Sequence, residues 1–300
     1  RGNLAYGCNV GSNHTSRKAD QEAWIGEGIF FGLSCSIKYP TNLLGAAYSI
    51  IAPGVVCLPQ KISFPFSLVN LPSEIGLAPT GFNQIYPGWV LKNSLYTVAR
   101  NEIKYRANKN VKQFDLGRGI IRNFTIKLII NARNGLRSCH KKGNDCVYVG
   151  DSEVNGLGKN FMTETSRQEG EDVYTFIIHL FTLKSMLEKL EKKFGRETDC
   201  EEIICKVSED KSEENDEYLD KNFLLCEFGT TNLNELMCKL ERNVENYSLE
   251  VEKSKDKDSV RGERITPGYR SVHGSTDQDE VVKAVKEYTE NIVTRIKNIK

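Results

Sequence analysis

The chain has 300 residues, enough for one large domain or two ordinary ones, and 39% of them are apolar. Lysine and arginine total 41 against 40 acids, a net charge of +1, so no global field points to nucleic acid or an anionic membrane. No apolar run reaches the ~18 residues of a membrane span and no basic-then-apolar leader is present, so the expected location is the cytoplasm.

Leu4 and Val10 are six residues apart, and a polar run from Ser12 to Glu22 follows. Two ladders with the same spacing come next, Ile25, Phe31, Ile37, Leu43 and then Ile50, Val56, Ile62, Leu68. A helix repeats near 3.6 and a flat strand near 2, so a run of sixes fits neither. It fits the coils of a hexapeptide β-helix. Glycine directly follows Val10, Ile25 and Phe31, as expected at corners. Seven of the eight prolines lie between Pro40 and Pro87, and Pro53, Pro59 and Pro65 share the six-residue period. Proline cannot donate to a ladder, so it too marks corners. The competing reading is an ordinary antiparallel β-domain with accidental spacing.

No proline occurs between Pro87 and Pro267, which sets an expected boundary near residue 90. Residues 94–107 read as a helix with Ser94 as N-cap. Ile121, Phe124, Leu128 and Ala132 predict a second helix closed by Gly135. Residues 137–158 read as loop, with a short strand at 146–149. Phe176, Leu180, Leu183, Leu187, Leu190 and Phe194 predict a long helix ending at Gly195. Residues 197–220 form an acidic loop and 252–276 a charged linker. Helical stripes run through Leu233, Leu236, Leu240, Val244, Tyr247 and Val251, and through Val281, Val285, Tyr288, Ile292 and Ile296.

Several stretches are similar to an uncharacterised bacterial family related to UDP-N-acetylglucosamine pyrophosphorylase. They are Asn9-Val10-Gly11-Ser12-Asn13-His14-Thr15 with Arg17 and Asp20-Gln21-Glu22, Gly26-Glu27-Gly28 with Phe30-Phe31-Gly32-Leu33, Leu58-Pro59-Gln60, and Phe64-Pro65-Phe66-Ser67-Leu68. Further matches are Ala99-Arg100-Asn101-Glu102, Gly156-Leu157-Gly158-Lys159-Asn160, and Arg261-Gly262-Glu263-Arg264. The resemblance implies a left-handed parallel β-helix over 1–90 followed by a mainly helical region. It also implies that the chain is the C-terminal part of a longer protein. A trimer follows only by analogy with other hexapeptide enzymes.

His14 is the candidate general base, since imidazole titrates near neutrality. Around it, Asn13, Arg17 and Lys18 are candidate contacts for a sugar-nucleotide phosphate. Asp20 and Glu22 are candidates to orient the imidazole or bind a metal. The opposing reading has His14 capping a turn. The Gly156–Asn160 loop offers backbone N–H groups and Lys159 to a phosphate, although it lacks P-loop spacing. Arg100, Lys104, Arg106, Lys109 and Lys112 can line a phosphate cleft or simply form a solvated helix face. Cys139, His140 and Cys146 are possible metal ligands without an evident fourth, and the nine cysteines contain no Cys-x-x-Cys. The sequence does not identify a cofactor. Two functions follow: a sugar-nucleotide-related transferase, acyltransferase-like or pyrophosphorylase-associated, or a non-catalytic scaffold or assembly module.

Overall fold

The structure is a computed structural model that describes residues 2–11, 15–107, 119–139, 143, 145–193 and 221–299. The chain forms two compact units, the first Arg1–Ser94 with Phe124–Thr175, the second Leu95–Asn123 with Phe176–Lys300. The acidic loop expected at 197–220 lies outside the described residues.

Short strands build the first unit: β1 (Asn3–Leu4), β2 (Asn9–Val10), β3 (Ala23–Trp24), β4 (Phe30–Phe31), β5 (Ser36–Ile37), β6 (Thr41–Asn42), β7 (Ile50–Ile51), β8 (Val56–Cys57), β9 (Gln60–Lys61) and β10 (Leu68–Asn70). Up to β10, each strand pairs in parallel with the strand three places later, which gives three ladders. Corners separate them. Gly7, Ser34 and Gly54 all take positive φ in turns at successive levels, and Gly28, Tyr48 and Phe66 repeat this at a second corner. The rings of Tyr48 and Phe66 stack 5.3 Å apart there. A β-carbon on Gly28 would fall 2.3 Å from the Tyr48 ring, so only glycine fits above that ring. Pro53 and Pro65 each sit in a turn.

The largest sheet then changes character. β11 (Asn83–Tyr86) joins β10 antiparallel, β13 (Asn160–Thr163) joins β11 in parallel, and β12 (Val147–Val149) closes the order β1-β4-β7-β10-β11-β13-β12. Between these strands the chain forms α1 (Trp89–Asn93), α2 (Leu95–Ala107) and α3 (Asn123–Arg137). The expected class, a left-handed parallel β-helix over 1–90 followed by a mainly helical region, is therefore corrected to mixed α/β. Parallel sheets carry strands that alternate with helices along the chain, and strands from beyond residue 140 complete the sheet begun by β1. The lack of proline between Pro87 and Pro267 removed one strand breaker, which does not by itself make a region helical.

The second ladder slips by one residue at three of its four places, while Ile62 is buried as expected. Leu4, Phe31, Ile51 and Val69 are register partners, and Val69 faces Ile85 across β11. The buried residues are therefore Ile51, Cys57 and Val69, whereas Val56 is 45% exposed. Apolar residues stand side by side at 50–51 and 68–69, and spacing alone does not choose between them.

The second unit is helical. It contains α2, the continuation of α4 (Glu164–Lys193), α5 (Lys221–Phe228), α6 (Leu233–Ile265), α7 (Tyr269–His273) and α8 (Glu280–Lys297). α6 packs against α8 and α2. Leu236, Leu240, Val244 and Val251 form its buried stripe, met by Val282, Val285 and Ile292 of α8. Side chains start both helices: Asn232 accepts from the Glu235 amide, and Asp279 from Val281 and Val282. The expected linker at 252–276 is instead helical to Ile265, with α7 beyond it. Its charges look linker-like, yet Lys253–Glu250 and Lys286–Glu252 pair and Ser254 and Ser259 are buried. α3 likewise runs through Gly135 to Arg137 and buries Ile126, Ile129 and Leu136, leaving Phe124 exposed.

Candidate functional site

His14 and Asn13 lie outside the described residues. Arg17 precedes a 3₁₀ turn, Lys18–Gln21, and Arg17, Lys18 and Glu22 are exposed. Asp20 is half-buried, and its carboxylate accepts from the Thr15 hydroxyl at 2.5 Å. That bond closes the loop on itself and occupies one oxygen of the proposed imidazole partner. Arg100 and Lys104 are exposed on α2, which belongs to the second unit, whereas Arg17, Lys18 and Lys159 belong to the first. Lys109 and Lys112 lie outside the described residues.

The glycine loop is the best-defined of the candidates, and its amides are already occupied. Asp151 Oδ1 accepts from Gly156 N at 3.0 Å and Gly158 N at 2.8 Å. Leu157 N donates to the Val154 carbonyl, and Lys159 N to Gln60 Oε1 at 2.8 Å. A carboxylate of the chain itself thus fills the position that a phosphate would take. The loop packs directly on β9: a β-carbon at Gly158 would lie 2.6 Å from both Gln60 Oε1 and the Lys61 carbonyl. Asn160 donates to Gln60 Oε1 and to the Leu157 carbonyl, and Ser63 N donates to the Gly156 carbonyl. Lys159 extends into solvent from this closed loop.

A second polar centre stands at the start of α4. Glu164 is buried and takes both guanidinium arms of Arg167, at 2.7 and 2.9 Å, with the Tyr148 hydroxyl and the Gln168 amide each at 2.7 Å. Arg167 also reaches the Leu136 carbonyl and Glu171, which pairs in turn with Arg137. The Arg167 hydrogen bonds hold the Glu164 carboxyl down at about 2, and burial with the Glu164 contact pushes the Tyr148 phenol up. Every partner here is another side chain or the backbone, so the arrangement ties β12, α3 and α4 together. Sequence reasoning missed both Asp151 and this centre. Glu164, Arg167 and Glu171 at i, i+3 and i+7 carried the signal for the ion pairs, and an aspartate five and seven residues before two glycines carried the other.

His179 Nε2 lies 3.3 Å from Glu227 and its ring packs on Phe228, and His273 is exposed beside Tyr269. Among the described residues, no group of three or more His, Cys, Asp or Glu is placed to hold a metal. His140, one of the suggested ligands, lies outside them. A shallow cleft of about 610 Å³ between α6 and the 270–277 segment is lined by charges that pair locally, Arg270 with Asp256 and Lys253 with Glu250. No described helix is long and apolar enough to cross a membrane.

The two ends of the first unit differ. One is covered: β11 pairs with β10, Asn83 Nδ2 donates to the Val56 carbonyl of β8, and the glycine loop covers β9. At the other, β1, β2 and β3 each end the order of their sheet among the described residues. Asn3 and Ala5 donate to the β4 side, so the alternation of a parallel ladder turns the Leu4 N–H and C=O outward. Leu4 is 67% exposed although its register partner Phe31 is 3% exposed, and Tyr6 and Trp24 are exposed nearby.

No family model and no solved structure matches the chain. An uncharacterised protein of Treponema pallidum (strain Nichols) is 34% identical over 111 residues, 37% of this chain. The chain spans 14% of that relative's length in the match.

Proposed function

We propose that the chain is a non-catalytic scaffold or assembly module. One observation carries this reading: the polar groups best placed to take a ligand are already bonded within the chain, the glycine-loop amides to Asp151 and Gln60, and Glu164 to Arg167, Tyr148 and Gln168. The sugar-nucleotide reading has less support, because the glycine-loop amides are occupied by Asp151 and Gln60.

Calorimetric titration with a UDP-sugar is expected to give no saturable heat. Saturable binding lost in Arg17→Ala or Lys18→Ala would restore the transferase reading.

A further inference from the structure

Cys8 and Cys35 occupy the same place in turns that stack on successive levels. Cys8 N donates to the Ala5 carbonyl and Cys35 N to the Gly32 carbonyl, each at 3.2 Å. The levels are bonded to each other on both sides of these cysteines: Ser34 N reaches the Tyr6 carbonyl at 3.2 Å and Asn9 N the Cys35 carbonyl at 2.8 Å. The register continues into β2 and β5, where Asn9 faces Ser36 and Val10 faces Ile37. Cys8 is thus directly opposite Cys35, and both side chains point to the interior that Ile37 also enters.

Neighbouring strands are ~4.8 Å apart, within the ~4.4–6.8 Å between Cα atoms that a disulfide spans. The third level carries Val55 at this place, so the column holds two thiols and stops. Cys57 stands opposite Ile37, one strand across and two residues along from Cys35. That diagonal is roughly 7–8 Å, beyond the reach of a disulfide. Access is uneven: Cys35 is fully buried and Cys8 is half-buried. Burial pushes the Cys35 thiol up to about 11, so it does not initiate exchange.

We infer that Cys8 and Cys35 are a reversible oxidation site, closed to an intrachain disulfide by a small-molecule disulfide. The Cys8 thiolate attacks one sulfur of the oxidant, forming a mixed disulfide and releasing one thiolate. The Cys35 sulfur, on losing its proton, then attacks Cys8 Sγ, which breaks the mixed bond and releases the second thiolate. Two cysteine thiols are oxidised, the oxidant's two sulfurs are reduced, and the two protons end on the released thiols. The bond rivets the first level of strands to the second.

The test incubates the native chain in oxidised-to-reduced glutathione buffers of graded ratio, traps free thiols by alkylation, and maps peptides by mass spectrometry. A Cys8–Cys35 linked peptide that rises with the ratio, persists in Cys57→Ser and disappears in Cys8→Ser is the expected result. Cys8→Ser changes a half-buried position and keeps the fold available even where Cys35→Ser does not. Glutathione that stays on Cys8 without transfer to Cys35 overturns the inference, as does pairing of Cys8 with any other cysteine. The readout is independent of ligand binding, so it stands apart from the proposed function.

Discussion

The first unit is held in register by polar side chains with specified partners, and the second by apolar stripes that share the load. In the first, Gln60 and Asn83 reach groups far away in sequence, and Asp151 and Glu164 fix the glycine loop and the start of α4. In the second, Leu236, Leu240 and Val244 face Val285 and Ile292, and local caps start the helices. Two-residue strands bury too little to fix themselves, so corners and side-chain bonds do it. Long helices bury enough to tolerate a charged surface. Damage should therefore be concentrated in the first unit and spread out in the second.

Both tryptophans, Trp24 and Trp89, belong to the first unit, so their fluorescence reports on it while helical circular dichroism weighs the second. The largest effect is expected for Arg167→Met, which leaves the Glu164 carboxylate buried without its cation. A loss of roughly 3–5 kcal/mol should appear in urea titrations followed by fluorescence. Leu240→Ala should cost about 3 kcal/mol by opening a cavity, and should lower the ellipticity transition while the fluorescence transition stays in place. A fluorescence transition that moves equally in both variants would erase the contrast between the units.

Acid sharpens the same contrast. Glu164 is depressed from 4.5 to about 2, so its contribution is complete above pH 4.5 and is lost as the pH falls toward 2. The loss is on the order of 3 kcal/mol. Glu164→Gln should flatten the fluorescence-detected stability over that window, and an unchanged acid limb would remove Glu164 as its cause. Asp151→Ala should cost about 1 kcal/mol and free the amides of Gly156 and Gly158. Weak inorganic phosphate binding, absent from the native chain, is the gain expected in calorimetry. Arg17→Ala and Lys18→Ala change exposed groups and should stay within about 0.5 kcal/mol in thermal melts.

Helical stripes were readable because period 3.6 leaves one face per helix, and Leu236, Leu240 and Ile292 sit where that period put them. The hexad spacing found buried positions at Phe31, Ile37, Leu43 and Ile62, but Ile25 is 37% exposed. It failed at Ile50, Val56 and Leu68, where the adjacent Ile51, Cys57 and Val69 take the interior. It gave no sign that β11 would turn antiparallel or that β12 and β13 would return to the sheet, because such pairings depend on contacts remote in sequence. The candidate site was less legible still. Arg17, Lys18 and Lys159 were read from residue type, which does not reveal that Asp151 and Gln60 had already taken the neighbouring donors.

The stacked corners count levels, not residues. The first level, from Leu4 to Phe31, contains a longer stretch of chain than the second, from Phe31 to Ile51, yet both close on the same ladders. The added length falls between Val10 and Ala23, outside every strand pair. That corner is an insertion port: peptide of foreign sequence or altered length can be grafted there while β2 and β3 keep their partners, and loop entropy charges little for it.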